Sequence, residues 1–320
     1  MTSRSDWGGT SMNRDNRVSM LVLLVLAISA MAPAHAEEEA AAPEPTGAKG
    51  LVELNKQLTN PVSSIWSIQF QQNNLRVSPS PGEGERWSTN LLFQPVMPVA
   101  INDDWNLITR PVIPLFVSQA HPEVGDPSHP DRSTAFGDIT WLNLISPGPK
   151  LTGNWLLGVG PSWILPTAAS DFTGQGKYQV GPGVLAGYLS DKWILGALVQ
   201  NWWSFAGEGG RADTNDMNLQ PIASYFLPHG WNVGYSGNIL ANWDAERGRN
   251  VWTVPVGALV GKVHKFGKLP IKFTLGVQWF PIQPEEYGQD WNVQIQITPV
   301  LPKLVKGNLA DPSSLQFGLH

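Results

Sequence analysis

Hydrophobic and polar residues alternate one by one along most of the chain from residue 62 onward. The first such segment covers residues 65–71 and reads Ile-Trp-Ser-Ile-Gln-Phe-Gln. The same alternation returns at 105–115, 231–243, 271–279 and 291–301. A period of two is that of a β-strand with one apolar and one polar face. The pattern therefore predicts a protein built mainly of strands.

Twelve segments of this kind follow one another along the chain. Each is long enough for a tilted strand that crosses a bilayer, which needs roughly 9–11 residues plus its rims. The predicted strands cover residues 64–72, 87–99, 105–117, 136–145, 154–166, 177–189, 192–205, 216–227, 231–243, 250–263, 270–281 and 290–302. The predicted fold class is all-β, a transmembrane antiparallel β-barrel of about 12 strands with a short N-terminal periplasmic helix.

The connections between predicted strands alternate in length. The long ones are 73–86, 118–135, 167–176, 206–215, 244–249 and 282–289. The short ones lie near 100–104, 146–153, 190–191, 228–230 and 264–269. Outer-membrane barrels have short periplasmic turns and longer extracellular loops. An even number of strands then places both chain ends in the periplasm.

Tryptophan residues gather at the two ends of the predicted strands. Four directly follow short turns: Trp105, Trp155, Trp193 and Trp231. Five others lie beside long loops: Trp87, Trp203, Trp243, Trp252 and Trp291. Tryptophan is enriched at membrane–water boundaries because its ring is apolar and its N–H is polar. The placement favours two aromatic belts over the alternative, which is aromatic packing inside a soluble β-sandwich.

Prolines fall inside the predicted strands, and seven of them interrupt the pattern: Pro95, Pro111, Pro161, Pro182, Pro221, Pro255 and Pro299. Proline cannot donate a hydrogen bond to a neighbouring strand, and a closed barrel has no free edge to hold it. Bulges or waters near the rims are the available remedies. No arrangement that accounts for all seven follows from the sequence.

The first 36 residues have the three parts of a secretory signal peptide. Arg14 and Arg17 supply positive charge, an apolar run covers 18–32, and Ala34-His35-Ala36 forms a small-residue cleavage site. The alternative is a membrane anchor, but the apolar run is shorter than the roughly 20 residues that a spanning helix needs. We therefore expect export across the inner membrane, cleavage of the signal peptide and location in the outer membrane.

Three regions are predicted after the signal peptide at 1–36. Residues 37–61 form a periplasmic linker and a short helix at 50–60, where leucines recur at helical spacing. Residues 62–302 form the outer-membrane β-barrel, and 303–320 form a periplasmic C-terminal tail. The helix is a candidate plug of the barrel or a candidate periplasmic contact.

Composition narrows the choice of function. Charged residues make up 15% of the chain, against roughly 25% in an ordinary soluble domain. The formal net charge of −5 excludes the basic face that a nucleic-acid-binding protein needs, so we expect no nucleic-acid partner. The chain has no cysteine, so it has neither disulfides nor thiolate metal sites.

Several segments resemble a known outer-membrane family. They are Leu-Asn-Lys-Gln-Leu-Thr-Asn-Pro-Val-Ser-Ser at 54–64, Gly-Gln-Gly-Lys-Tyr-Gln-Val-Gly-Pro at 174–182, Lys-Trp-Ile-Leu-Gly-Ala-Leu-Val-Gln-Asn-Trp-Trp-Ser-Phe-Ala-Gly at 192–207, and Trp-Thr-Val-Pro-Val-Gly at 252–257. The chain is similar here to the barrel family labelled "MetA-pathway of phenol degradation", whose members are often misnamed neuromedin U. The resemblance implies an outer-membrane barrel linked to uptake of aromatic compounds. One departure is that the chain continues past Pro302, where such barrels would be expected to end.

Other candidate chemistry is weak. The stretch from His121 to Asp131 holds two histidines and three acids, which would suit a divalent cation, but its prolines favour a solvated extracellular loop. The histidines that follow the signal peptide are placed in loops, turns or the tail, which argues against a membrane-embedded hydrolase. We expect no enzymatic activity, no catalytic residues, no metal site and no cofactor.

Polar residues on the inward face are the remaining candidates for contact with a solute. They are Gln69, Asn90, Gln94, Arg110, Asp138, Gln200, Gln220, Asn238, Lys272, Gln278 and Gln294. Most are neutral amides, which either fill the barrel or select small, weakly charged solutes. Five glycines of the same parity are expected to keep the interior open: Gly158, Gly160, Gly181, Gly183 and Gly234.

Barrel size sets the expected function. About eight strands are filled by side chains and about sixteen leave a water channel, so twelve predict a narrow or gated conduit. We predict an outer-membrane channel or transporter for small organic solutes, aromatic ones included. The alternatives are a non-transporting structural or receptor barrel and a soluble periplasmic β-protein. The expected partners are outer-membrane lipid, a small-molecule solute and, during biogenesis, the barrel-assembly machinery.

Overall fold

The computed structural model describes residues 47–78, 86–123, 126–235, 237–245 and 249–318. The predicted signal peptide and the first part of the predicted linker lie outside the described residues. Helix α1 (Ala48–Thr59) agrees with the helix predicted at 50–60. A second helix, α2 (Pro149–Thr152), is a single turn. No helix within the described part of the chain is long and apolar enough to span a membrane.

Within the described residues, sixteen strands follow α1. They are β1 (Ser67–Ser78), β2 (Arg86–Ala100), β3 (Trp105–Glu123), β4 (Asp126–Phe136), β5 (Ile139–Pro147), β6 (Trp155–Leu165), β7 (Lys177–Leu189), β8 (Trp193–Gly207), β9 (Asn215–Leu227), β10 (Trp231–Tyr235), β11 (Ile239–Asn242), β12 (Trp252–Phe266), β13 (Leu269–Ile282), β14 (Gly288–Pro299), β15 (Val305–Asn308) and β16 (Asp311–Phe317). Short 3₁₀ turns cover Pro228–Gly230 and Arg249–Val251.

The first fourteen strands form a closed antiparallel barrel. Closure is visible at Phe70 of β1, which lies opposite Phe93 of β2 on one side and Ile297 of β14 on the other. β4 and β5 both pair with β3, and β10 and β11 both pair with β9 and β12, so each couple is one interrupted strand. The barrel therefore has 12 strands, as the alternation predicted.

The two faces of the wall differ as expected. Val277 and Ile295 are 45% and 43% exposed on the outside, whereas Gln294 is 8% exposed on the inside. A lipid-facing surface hides polar side chains by this alternation. The apolar side chains that a soluble protein would bury are therefore on the outer surface.

Tryptophans mark the two ends of the barrel. Trp105, Trp155, Trp193 and Trp231 each begin a strand after a short connection and are exposed. We call this the short-turn end and the opposite one the long-loop end. Trp87, Trp203, Trp243 and Trp291 are exposed toward the long-loop end, and Trp252 there is half-buried. The arrangement matches the two belts read from the sequence.

The prolines within strands lie where the hydrogen-bonded pairing of neighbouring strands is interrupted. Pairing of β2 with β3 stops between Phe93 and Met97, the stretch that contains Pro95 and faces Pro111. Pro161 lies opposite Pro182 between β6 and β7, and the ladders on their far sides are also interrupted. Pro299 is the last residue of β14. Each proline thus sits beside a gap or at a strand end, where its missing N–H costs no ladder bond.

The interruption between β10 and β11 has the same cause. The register with β9 is unchanged from Tyr235 to Ile239, so no residue is inserted. The pairing with β9 and the pairing with β12 can each be continued across the gap between β10 and β11. Pro221 of β9 then lies on one side of the gap and Pro255 of β12 lies on the other. Neither proline can donate to the intervening residues. The strand predicted at 231–243 is therefore split in two.

Two sequence-based boundaries are wrong. β1 continues to Ser78 instead of ending at 72, and the predicted loop 118–135 is largely a hairpin of β3 and β4. The hairpin continues β3 past the end of the predicted strand 105–117, into a part of the sequence where apolar and polar residues no longer alternate. It carries His121 and His129, and His264 lies in β12, so three histidines belong to strands and not to loops.

The C-terminal segment after the barrel also has structure. β15 and β16 pair as a two-stranded hairpin. Its turn is tied to the short-turn end, because the backbone N–H groups of Leu309 and Ala310 donate to the carbonyls of Ala100 and Ile101 at 2.9 and 2.8 Å.

Candidate functional site in the barrel interior

One side of the interior is filled by apolar side chains from β2, β3 and β5 to β9. The cluster consists of Val96, Ile108, Leu142, Leu144, Leu156, Leu185, Ile194, Leu198, Ile222 and Phe226. A polar interior was predicted, and on this side the prediction is wrong. Where side chains fill a narrow barrel, they pack like a protein core, and here strands with apolar residues on both faces supply that packing.

Helix α1 lies inside the barrel near the short-turn end. Val52 of the helix and Val62 just after it pack against the apolar cluster. The Asn55 side-chain amide donates to the carbonyl of Gly230 at 2.9 Å and to Oδ1 of Asn232 at 3.0 Å. The sequence left open a position in the barrel or a periplasmic contact, and the helix lies in the barrel.

Gly230 is required where the helix meets the wall. Its φ is +76°, a conformation that side chains rarely adopt, and an added Cβ would lie 3.0 Å from Cβ of Leu51. Glycine at this position lets the turn approach the helix closely enough to accept the Asn55 bond.

A polar cavity of about 130 Å³ lies between the C-terminal part of α1 and the wall. Six of the residues predicted to face inward line it: Gln69, Arg110, Gln220, Asn238, Lys272 and Gln294. They come from β1, β3, β9, β13, β14 and the gap after β10, so only barrel closure brings them together.

The other five predicted residues make hydrogen bonds outside the cavity. Gln94 accepts from Nη2 of Arg110 at 2.6 Å, next to the cavity. Asn90 accepts from Asn73 at 2.8 Å, and Gln278 from Asn292 at 3.1 Å. Gln200 donates to Oγ of Ser162 at 2.7 Å. Asp138 lies at the long-loop end, where it accepts from the N–H groups of Ala168 and Gln175 at 3.0 and 2.7 Å.

The sequence missed two groups of cavity residues. Residues 57–61, at the end of α1 and just beyond it, line the cavity, and no local pattern indicates which wall a plug will meet. Tyr235 has the same parity as Trp231 and Val233 in the predicted strand 231–243, which predicts an outward position, but it lines the cavity. Its hydroxyl donates to the carbonyl of Pro255 at 2.7 Å, and it occupies the last position before the strand gap, where alternation no longer fixes the side chain.

The five inward glycines serve packing and do not leave the interior open. A Cβ on Gly160, Gly181 or Gly234 would collide with a backbone carbonyl oxygen of the neighbouring strand. A Cβ on Gly158 or Gly183 would press on leucine side chains of the apolar cluster. Their role is therefore to let strands and core side chains approach closely.

Charged residues at the long-loop end form ion pairs. Nζ of Lys177 lies 3.1 Å from Oδ1 of Asp213, and Nη2 of Arg211 lies 3.2 Å from Oδ1 of Asp171. The hydrogen bond from Lys177, together with its charge, lowers the pKa of Asp213 below its usual value. These pairs tie the loops 166–176 and 208–214 to each other and to the wall.

Comparison with known proteins identifies the fold. No family model matches the chain and no curated protein matches it in sequence, so the family resemblance stays a prediction. Among solved structures, an outer-membrane channel from Pseudomonas putida F1 is similar with a TM-score of 0.50 and 15% identity, over 74% of this chain and 94% of that one. The two chains therefore share a β-barrel fold.

Two other solved structures are similar at a lower level. The toluene transporter TodX of P. putida has a TM-score of 0.36 and 13% identity, over 80% of this chain and 93% of TodX. A FadL homologue of Pseudomonas aeruginosa has a TM-score of 0.34 and 9% identity, over 82% and 96% of the two chains.

Proposed function

We propose that this chain is an outer-membrane channel for small organic solutes, aromatic ones included, and that α1 restricts its lumen. The observation that carries the proposal is a closed barrel with an apolar outer surface around an internal cavity. An apolar band with aromatic ends suits a lipid bilayer. The cavity gives a solute a place to reside between the two openings.

The remaining sequence-based expectations belong to this proposal. Residues 1–36 are removed on export, the barrel is inserted by the barrel-assembly machinery, and lipid surrounds its outer face. The inward residues that line or adjoin the cavity contact the solute. Two tests address location: fractionation should place the protein in the outer membrane, and its intact mass should correspond to a chain that begins at Glu37.

Transport is tested with purified protein in planar bilayers and in liposomes. We expect discrete conductance steps and an influx of phenol faster than into protein-free liposomes. The presence of α1 in the lumen favours a second candidate, a non-transporting barrel. Absence of both conductance and influx, in a protein that is folded and inserted, would decide for that second candidate.

A further inference from the structure

The cavity beside α1 carries a marked charge asymmetry. Among the described residues that line it, the charged ones are Arg110 and Lys272, both cations, and no lining residue is a carboxylate. The chain as a whole has more acidic than basic residues, with 26 against 21. The charged residues of the cavity lining are therefore positive, whereas the net charge of the chain is negative.

Neither basic side chain has an acidic partner among the described residues. Arg110 donates from Nη2 to the neutral amide of Gln94, and its Nε has no acceptor among the described residues. Lys272 is 6% exposed, and its Nζ donates to the neutral hydroxyl of Thr59 at 2.6 Å. Within the described part of the chain, neither takes part in an ion pair. Buried charges without partners are costly, and an anion between them would remove that cost.

The rest of the lining suits the remainder of an organic molecule. Val96, Ile222 and Leu259 contribute apolar surface, and the amides of Gln69 and Gln294 contribute further hydrogen-bond donors. A cavity of roughly 150 Å³ holds one benzene ring in another protein, so about 130 Å³ corresponds to a solute of about one ring. Arginine binds carboxylates through its planar array of N–H donors.

We propose that this cavity is a binding site for small organic acids, with Arg110 and Lys272 holding the carboxylate and the apolar lining contacting the ring. The inference rests on the proposed channel function and specifies its substrate class. It replaces the expectation of weakly charged solutes, which was based on the number of amides and overlooked that the charged lining residues are all positive.

The experiment compares benzoate with its neutral analogue benzamide in planar bilayers. We expect benzoate to reduce the current through the wild-type channel at concentrations where benzamide does not. In Arg110→Gln the benzoate concentration needed for half block should rise about tenfold, as expected for loss of a hydrogen bond to a charged group. Arg110→Lys should retain part of the effect. Arg211→Gln, which removes one positive charge outside the cavity, should behave as the wild type.

A second measurement does not depend on channel conductance. Binding of ring-labelled benzoate and benzamide to the folded wild-type protein is followed by NMR. Preference for benzoate, weakened in Lys272→Gln, supports the proposal. Equal binding of the two compounds, or block by benzoate that is unchanged in Arg110→Gln, overturns it. If the channel still passes phenol in those cases, the proposed channel function stands and only the organic-acid site is wrong. If neither conductance nor flux is observed, the channel function itself is wrong.

Discussion

Asn55 of the plug helix and Asn232 of the barrel wall are hydrogen-bonded across 3.0 Å, and both side chains are 0% exposed. Asn232 in turn donates to Oγ of Ser224 at 3.4 Å, so the contact extends to the next strand. A buried amide that loses its partner costs about 1–3 kcal/mol. This pair therefore fixes the position of α1 against the wall, together with the apolar contacts of Val52.

Replacement of Asn55 by Ala should loosen the plug. The change removes the bonds to Gly230 and Asn232 and leaves the buried amide of Asn232 without its donor. We expect the docked position of α1 to lose about 1–3 kcal/mol, and single-channel recordings should show longer open times or larger conductance. Glu53→Ala is the matched control, because Glu53 lies on the same helix with its side chain 55% exposed.

The result would count against a plug if Asn55→Ala conducted as the wild type while its melting temperature fell. The helix would then stabilise the barrel without restricting it. A variant with unchanged conductance and unchanged melting temperature would mean that the Asn55–Asn232 bond contributes little.

The two faces of the wall should be distinguishable by labelling from the lipid phase. The chain has no cysteine, so single-cysteine variants report without background. Fluorophores attached at Val277 and Ile295 should be quenched by brominated lipid, and those at Gln278 and Gln294 should not, because the first two are exposed outside and the second two face inward. Quenching at Gln278 and Gln294 but not at Val277 and Ile295 would contradict the assignment of the inner and outer faces.

The wall of the barrel was largely predictable from the sequence. The strand predicted at 177–189 agrees with β7 at both ends, because a strand between lipid and interior must alternate over its whole length. The extension of β3 to Glu123 was not predictable in this way, because the alternation does not continue past residue 117. The sequence shows that the prolines do not suit a strand interior, but the residue opposite each proline depends on the register between neighbouring strands.

The site was predictable only in part. Local alternation identified Gln69 and Lys272 as inward-facing, but they belong to strands at opposite ends of the sequence. Their common cavity depends on closure and on where α1 enters the barrel. Tyr235 was missed because a gap in its strand releases it from the alternation. Contacts between distant segments have no local signature in the chain.

Acid should weaken the tie between Lys177 and the loop that carries Asp213. The pKa of Asp213 is lowered in the folded protein by the Lys177 hydrogen bond and charge. The stabilisation is therefore present above the ordinary carboxyl pKa of 3.8 and is lost as the pH falls through the lowered value. Carbon-13 titration of aspartate carboxyls should find Asp213 below the usual range. In Lys177→Gln the midpoint should return toward that range, and an unchanged midpoint would show that the pair does not form in solution.

The strand gap between Tyr235 and Ile239 should close partly when a flanking proline regains an N–H. In Pro255→Val a new ladder bond contributes about 0.5–1.5 kcal/mol, while loss of proline's restriction of the unfolded chain costs about 0.4–1 kcal/mol. Because these terms nearly cancel, stability is a poor measure of the effect. The sharper measure is hydrogen exchange, in which the new amide at position 255 and the amides across the gap should become protected. Pro299→Val, at the end of β14, is the control and should leave the exchange of residues 237–239 unchanged. If exchange at the gap stays fast in Pro255→Val, the missing N–H is not what opens the strand.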